Sequence, residues 1–422
     1  MMQSRQSKII TNATSYFMSQ YTKRYLHVEK PSLGLPPPPE AKKYLLYIHV
    51  PFCTMFCPYC SFNKFTYTKE AATKYYLHLR DEILHVKELG YDFNYLVIGG
   101  GTPLIDEEEL IETIEFVKKL FSIEHVSCES DPNHIQKETV TRLRGLVDRL
   151  SVGVQTFDDA LLKKLGRYEK FGSGEEVYEK ISSMLGILPI TSVDLIFNFP
   201  TQTKEGLRRD LDTLKKLRPE QTSVYPLMTS SLVKNSVKKT LGEFSLENEF
   251  NFFGIIKESL KENYPSRHGW SFSKESDLII DEYIIDNEEY VGVGSGSFSF
   301  LKDTLYLNEF ALDQYASLIQ EKRSAVTKER TFPANSQIYY RLMVDLFNGK
   351  LSKKKFATMF GENINDALGK ELMLLKFAKA IKEHKESITT TEFGDYLFLV
   401  MMKEFYMGMD RIRNDARKNL TL

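Results

Sequence analysis

The sequence predicts an α/β protein: a partial (βα)6 barrel, extended by extra antiparallel strands and followed by a C-terminal helical, winged-helix-like module. Three observations predict it. Six short runs of apolar, β-branched or aromatic residues begin near residues 44, 94, 125, 149, 190 and 221, among them "YLLYIHV", "NYLVIGG" and "ITSVDLIFNF". They are apolar on successive residues, as strands covered on both faces are, whereas the intervening "EELIETIEFVKKLF" repeats at i, i+3 and i+4 like a helix packed on one side. Strand and helix alternate, which marks βα units, and such folds keep their chemistry at the C-terminal ends of the strands. A doubly wound sheet is the alternative reading.

Four segments follow from this pattern. Residues 1–43 are polar and irregular and end in "PSLGLPPPPEAKKY", whose four prolines enforce an extended linker, so they read as an arm. Residues 44–228 hold the six βα units. Residues 229–330 pass through charged helices into "YVGVGSGSFSFLKDTLYLNEF", read as antiparallel strands with a glycine turn that complete the core. Residues 331–422 are helical except for a short ribbon around "AIKEHKESITTTEF", which gives the winged-helix-like module. Within it Phe398, Met401, Met402, Phe405, Tyr406 and Met409 stand at helical spacing. They read as a core face, or as a cover for a flat apolar ligand.

Charge excludes some functions. The chain has 422 residues, 56 Lys plus Arg and 57 Asp plus Glu, so no basic field recruits nucleic acid or anionic lipid. Four cysteines in such a length form no disulfide framework and suit a reducing compartment. The beginning of the chain lacks an apolar targeting run, and the late run "YLFLVMM" is far short of the roughly 18 residues that span a membrane. The expectation is a cytoplasmic monomer without a transmembrane segment.

The cysteines carry the chemistry. Cys53, Cys57 and Cys60 lie in "YIHVPFCTMFCPYCSFNKF", at the end of the first predicted strand. Three thiolates at CxxxCxxC spacing can hold three corners of a [4Fe–4S] cube and leave the fourth iron open to a ligand. An open position marks a reactive centre rather than a structural one. A zinc site completed by Cys128 or a histidine, or a redox pair of Cys57 and Cys60, are the alternatives. The aromatic surroundings, Tyr47, Phe52, Phe56, Tyr59 and Phe62, form a shell that limits water at a cluster.

With these residues the sequence resembles the radical S-adenosylmethionine (SAM) superfamily, and "YIHVPFCTMFCPYCSF" is similar to its HemN-like branch. The resemblance implies a [4Fe–4S] cluster on the three cysteines and SAM on the open iron. It further implies that Gly99, Gly100, Gly101 and Thr102 of "GGGTP" lie along the methionine part of SAM. Glu129 of "CESDP" would contact its amino acid portion, Gln155 and Asp194 its ribose, and Arg167 its carboxylate. Tyr47 and Phe62 beside the cysteines, and Gly296 of the glycine-rich segment near the adenine, complete the expected cofactor-binding set. Where the family reads DLIxGLPxQT this chain has "DLIFNFPTQT", so Asn198 and Phe199 replace the Gly-Leu pair.

Within the branch the resemblance implies a tetrapyrrole substrate, haem or coproporphyrinogen III, and an electron donor of the flavodoxin or ferredoxin type. Phe62 stands where the oxygen-independent coproporphyrinogen III dehydrogenases keep a further cysteine. The haem chaperones carry an HNxxYW-like element, whereas "SRHGWSFSKESD" keeps only His268 and Trp270, with the spacing lost. The plain CxxxCxxCxF pattern, "DEYIIDNEEYVGVGSG" and "VMMKEFYMGMDRIRNDAR" resemble the third group, radical SAM methyltransferases of the anaerobilin synthase type that open haem. That is the leading expectation, with the dehydrogenase and the chaperone as alternatives.

Overall fold

The polar stretch at the start of the chain is helical: Arg5–Tyr25 form α1. The expectation of an irregular arm fails there because the helix is held by a distant part of the chain rather than by its own pattern, as most protein helices are. Ser15 Oγ donates to Glu404 (2.6 Å), and Thr22 accepts from Arg411. Gly408 permits the close approach, since a Cβ there would lie 2.8 Å from Leu26 and 2.9 Å from Thr22. The computed structural model describes residues 5–28, 30–246, 248–275 and 287–418. Residues 281–286, which open "DEYIIDNEEY", and 276–277, the end of "SRHGWSFSKESD", lie outside the described residues.

All six predicted runs are strands: β1 (Lys43–Val50), β2 (Asp92–Gly100), β3 (His125–Ser130), β4 (Arg149–Gln155), β5 (Ile190–Phe197) and β6 (Gln221–Pro226). They pair in parallel in that order. Helices α2 (Lys69–Glu88), α3 (Glu107–Leu120), α4 (Gly174–Met184) and α5 (Lys204–Leu217) lie in the crossovers. Side chains on both faces of β1 are covered, Leu45 and Leu46 alike being fully buried. This is why the runs show no polar alternation. Helix α6 (Glu249–Leu260) precedes β7 (Ser271–Ser273), which adds antiparallel to β6.

The glycine-rich segment departs from expectation in one respect. Its first strand, β8 (Tyr290–Val293), joins β1 in parallel, and only then do β9 (Phe298–Leu301), β10 (Thr304–Asn308) and β11 (Val326–Thr331) continue antiparallel. A short strand's pattern records its burial, not the direction of its neighbour. The result is one open, mixed sheet, consistent with a partial barrel. Buried Glu82 of α2 fastens the segment by accepting from Gly294 N, Asn308 Nδ2 and Tyr315 OH, each at 2.7 Å.

The C-terminal module is α7 (Ala334–Phe347), a sheet of β12 (Lys350–Ser352), β13 (Ile381–Glu383) and β14 (Ser387–Thr390), and two helices between β12 and β13. The long α8 (Glu392–Lys418) then returns across the barrel. One apolar core runs from Ile48 of β1 through Trp270 to Phe347 and Phe398 of the module. Among the described residues no helix is long and apolar enough to cross a membrane.

Candidate active site

The loop after β1 carries the cysteines and is pinned at both ends. Phe65 N donates to Pro51 O (2.6 Å) and Tyr67 N to Cys53 O (3.0 Å), so the loop closes on itself before α2. A turn from Cys60 N to Cys57 O (3.2 Å) shapes its middle, and Lys64 Nζ caps Cys60 O (2.6 Å). Burial pushes the Cys53 thiol up to about 11 and that of Cys60 also upward. Buried thiolates at these positions therefore need a positive partner.

The glycine loop at the end of β2 packs against this one with no room for side chains. A Cβ on Gly99 would meet the Glu129 carboxylate at 2.9 Å, one on Gly100 (φ +118°) the His49 ring at 2.7 Å, and one on Gly101 the Phe52 carbonyl at 2.4 Å. Gly101 N and Thr102 N donate to Val50 O and Phe52 O, both at 2.8 Å, and Gly100 N to Glu129 Oε2 at 3.1 Å. Gly101→Ala would drive a Cβ into backbone, which cannot yield as a side chain can. That variant is expected to lose iron content and SAM affinity together, measured by metal analysis and equilibrium binding.

His49 sits beneath the loop as a neutral ring. The Asn63 carbonyl can only accept, so Nε2 donates to it (3.0 Å) and Nδ1 accepts from Tyr47 OH (3.1 Å). Burial pushes its pKa down to about 4. The unfolded chain binds this proton near 6.5 and the folded one only near 4, so stability falls as pH drops through that window. The loss is expected to reach about 3 kcal/mol, at about 1.4 kcal/mol per pKa unit. Urea unfolding between pH 7 and 4.5 should show it, with a smaller fall in His49→Asn.

At the ends of β3 to β5 the polar groups converge. Arg167 is buried and donates to Cys57 Sγ (3.4 Å), Tyr59 OH (3.3 Å) and Gly153 O, while its Nε has no hydrogen-bond partner. Ser151 Oγ bridges both oxygens of Asp194 (2.9 and 2.8 Å). Gln155 ends β4 at φ +75°, a left-handed turn that aims the strand end at the site. Asn198, likewise at φ +68°, takes the turn a glycine would normally take, and its Nδ2 donates to Ser245 O (3.1 Å). The replacement of the family's glycine is thus absorbed without moving Asp194 from the cavity.

Every expected site residue except Gly99 lines one cavity of about 1510 Å³. Gly99 stands behind Glu129. Sequence reasoning missed Asp131 and Lys170, which also line it. Asp131 accepts from Thr102 Oγ1 (3.2 Å), Lys170 Nζ (3.0 Å) and His134 Nδ1 (2.7 Å), and His134 and Lys170 hold its carboxyl well below the usual range. Their signal was present in "ESDP" and "GRYEK", but neither spacing is distinctive. Cys128 is core, fully buried on β3, which removes it from any zinc site with the triplet.

The Radical SAM superfamily profile matches residues 47–214. The chain is 27% identical to "Heme chaperone HemW" of Bacillus subtilis over 367 residues, 83% of this chain and 96% of that protein. It is 35% identical to "Oxygen-independent coproporphyrinogen III oxidase" of Helicobacter pylori over 206 residues, 46% of this chain and 44% of that one. The chain carries a radical SAM domain, and its relatives are HemN-like. The solved structure described as coproporphyrinogen III oxidase (HemN) from Escherichia coli shares the fold of this HemN-like chain. It matches at a TM-score of 0.73 and 21% identity over 92% of both chains.

A radical SAM domain implies a [4Fe–4S] cluster and SAM. The residues present fit both. Three free cysteines line one cavity, and they stand at CxxxCxxC spacing in the loop after β1. Thiolates at that sequence spacing can each take a different iron. The unspent donor of buried Arg167 beside Cys57 suits an anionic ligand.

Proposed function

We propose that the protein is a HemN-like radical SAM enzyme acting on a tetrapyrrole, and that its reaction is anaerobic opening of haem with transfer of a methyl group from SAM. The observation that carries this reading is the cavity. Its 1510 Å³ exceeds the roughly 300–1,000 Å³ of a site for one small ligand. Besides the polar residues, the cavity is walled by Trp270 and by Phe398, Met401, Phe405, Tyr406 and Met409 of α8. A polar end for SAM and a broad aromatic and methionine-rich end for a flat apolar partner fit in one enclosure.

Cys53, Cys57 and Cys60 are the assigned cluster ligands, with Arg167 stabilising the thiolate of Cys57. When bound, the cluster would supply the low-potential electron for reductive cleavage of SAM. The chain's own part is placement. Gly100, Gly101 and Thr102 would line the methionine end of SAM, with Gly99 leaving room for the Glu129 carboxylate behind them; Glu129 would take its ammonium, Asp194 and Gln155 its ribose hydroxyls, and Tyr47, Phe62 and Gly296 would frame the rest. The aromatic walls exclude water and oxygen. A low-potential flavodoxin or ferredoxin is the assigned electron donor.

Phe62 in place of a further cysteine speaks against coproporphyrinogen decarboxylation. A second reading, a haem carrier without turnover, is favoured by similarity extending over 96% of a protein named as a haem chaperone. Anaerobic incubation of reduced protein with SAM and either haem or coproporphyrinogen III separates them by product mass. Methyl gain with iron release is expected. Haem bound but unchanged would favour the carrier, and loss of carboxyl mass the dehydrogenase.

A further inference from the structure

We infer that Arg413 is a binding residue for a carboxylate of the large second ligand, a propionate side chain where that ligand is a tetrapyrrole; this rests on the tetrapyrrole reading above. The last turns of α8 reach the cysteine loop, where Arg417 donates to the carbonyls of Ser61 (3.2 Å) and Phe62. One turn earlier Arg413 lies over the rings of Phe62 (5.2 Å) and Phe298 (5.4 Å) and lines the cavity. The two rings hold the guanidinium plane, as cation–π contacts do.

Its hydrogen-bonding capacity is mostly unspent. Nη1 donates to Asp410 Oδ1 (2.6 Å), and among the described residues its Nε and Nη2 have no acceptor, though the side chain is only 14% exposed. A guanidinium presents five donors in a fork that matches a carboxylate. Of the other cations near the cysteines, Lys170 is engaged by Asp131, Lys64 by the Cys60 carbonyl and Arg417 by the carbonyls of Ser61 and Phe62, while Arg167 lies at Cys57, where its unspent donor serves the SAM end of the site.

The position suits a ligand with an apolar body and an acidic tip. From Phe398 to Arg413 the cavity-lining stripe of α8 runs about 22 Å at about 1.5 Å per residue. Phe398, Met401, Phe405, Tyr406 and Met409 occupy its length, and the cation closes it beside Phe62. SAM also carries a carboxylate, so the source must be separated by experiment.

The test compares haem with haem dimethyl ester, titrated spectroscopically against cluster-reconstituted wild type, Arg413→Gln and Arg413→Lys, with SAM affinity measured in parallel. Wild type is expected to prefer the free acid by about tenfold to a hundredfold, the range for hydrogen bonds to a charged group. Arg413→Gln should lose that preference through weaker acid binding, with ester and SAM affinities kept, and Arg413→Lys should keep part of it. Equal weakening of acid and ester would make Arg413 a packing residue and overturn the proposal, as would a loss confined to SAM. If wild type binds neither tetrapyrrole, the reading beneath the proposal falls and the proposal with it.

Discussion

Cys57→Ala is expected to leave a folded protein that retains no [4Fe–4S] cluster after anaerobic reconstitution and forms no 5′-deoxyadenosine from SAM. Wild type should hold about four irons per chain. With only three thiols facing the cavity, a cluster that already leaves one iron to SAM has no protein ligand to spare. Cys57 is also the thiol on which Arg167 converges, so its loss leaves a buried guanidinium short of a partner at the same point. Fold should survive because the loop is closed by backbone bonds, Phe65 N to Pro51 O and Tyr67 N to Cys53 O, that no cysteine side chain makes. Cys128→Ala is the control: it lies in the core of β3, and iron content should not change. Full iron content in Cys57→Ala, or zinc bound by wild type in place of iron, would sink the cluster assignment.

What could be read in advance was what is written locally. The six parallel strands were legible because a strand buried on both faces shows it residue by residue, and five of the site motifs sit at the ends of those strands. The glycines of "GGGTP" were legible as a close approach, although not that Gly101 faces the Phe52 carbonyl. What escaped depends on partners far along the chain. Helix α1 looks polar alone and becomes explicable only when Thr22 meets Gly408, and the parallel pairing of β8 with β1 is a property of topology. Arg413 reads as an ordinary cation near a helix C-terminus until α8 is seen to end over Phe62. Of the stripe on α8, Phe398 and Met402 are fully buried in the core, as the core-face reading expects, and Phe398, Met401, Phe405, Tyr406 and Met409 also line the cavity.

Lys403→Met is expected to cost about 3–5 kcal/mol of stability, the usual penalty for stranding one member of a buried ion pair. Lys403 Nζ donates to both oxygens of Glu249 at 2.7 Å, and the two side chains are 2% and 0% exposed. Tyr396 OH adds a bond to Oε1 (3.2 Å) and Asn198 Nδ2 one to Oε2 (3.4 Å), so the carboxylate is fully committed. The loss is a large fraction of the roughly 5–15 kcal/mol that holds a domain folded. Urea denaturation should show it as a lower midpoint, and Lys403→Met with Glu249→Met should recover much of it, because two apolar groups leave no buried charge. A single variant as stable as wild type would refute the argument. The pair also joins α6 and the turn after Asp194 to α8, which walls the cavity. In Lys403→Met the wall should loosen while the cysteine loop keeps its own backbone bonds, so affinity for the proposed tetrapyrrole ligand is expected to fall before iron content does.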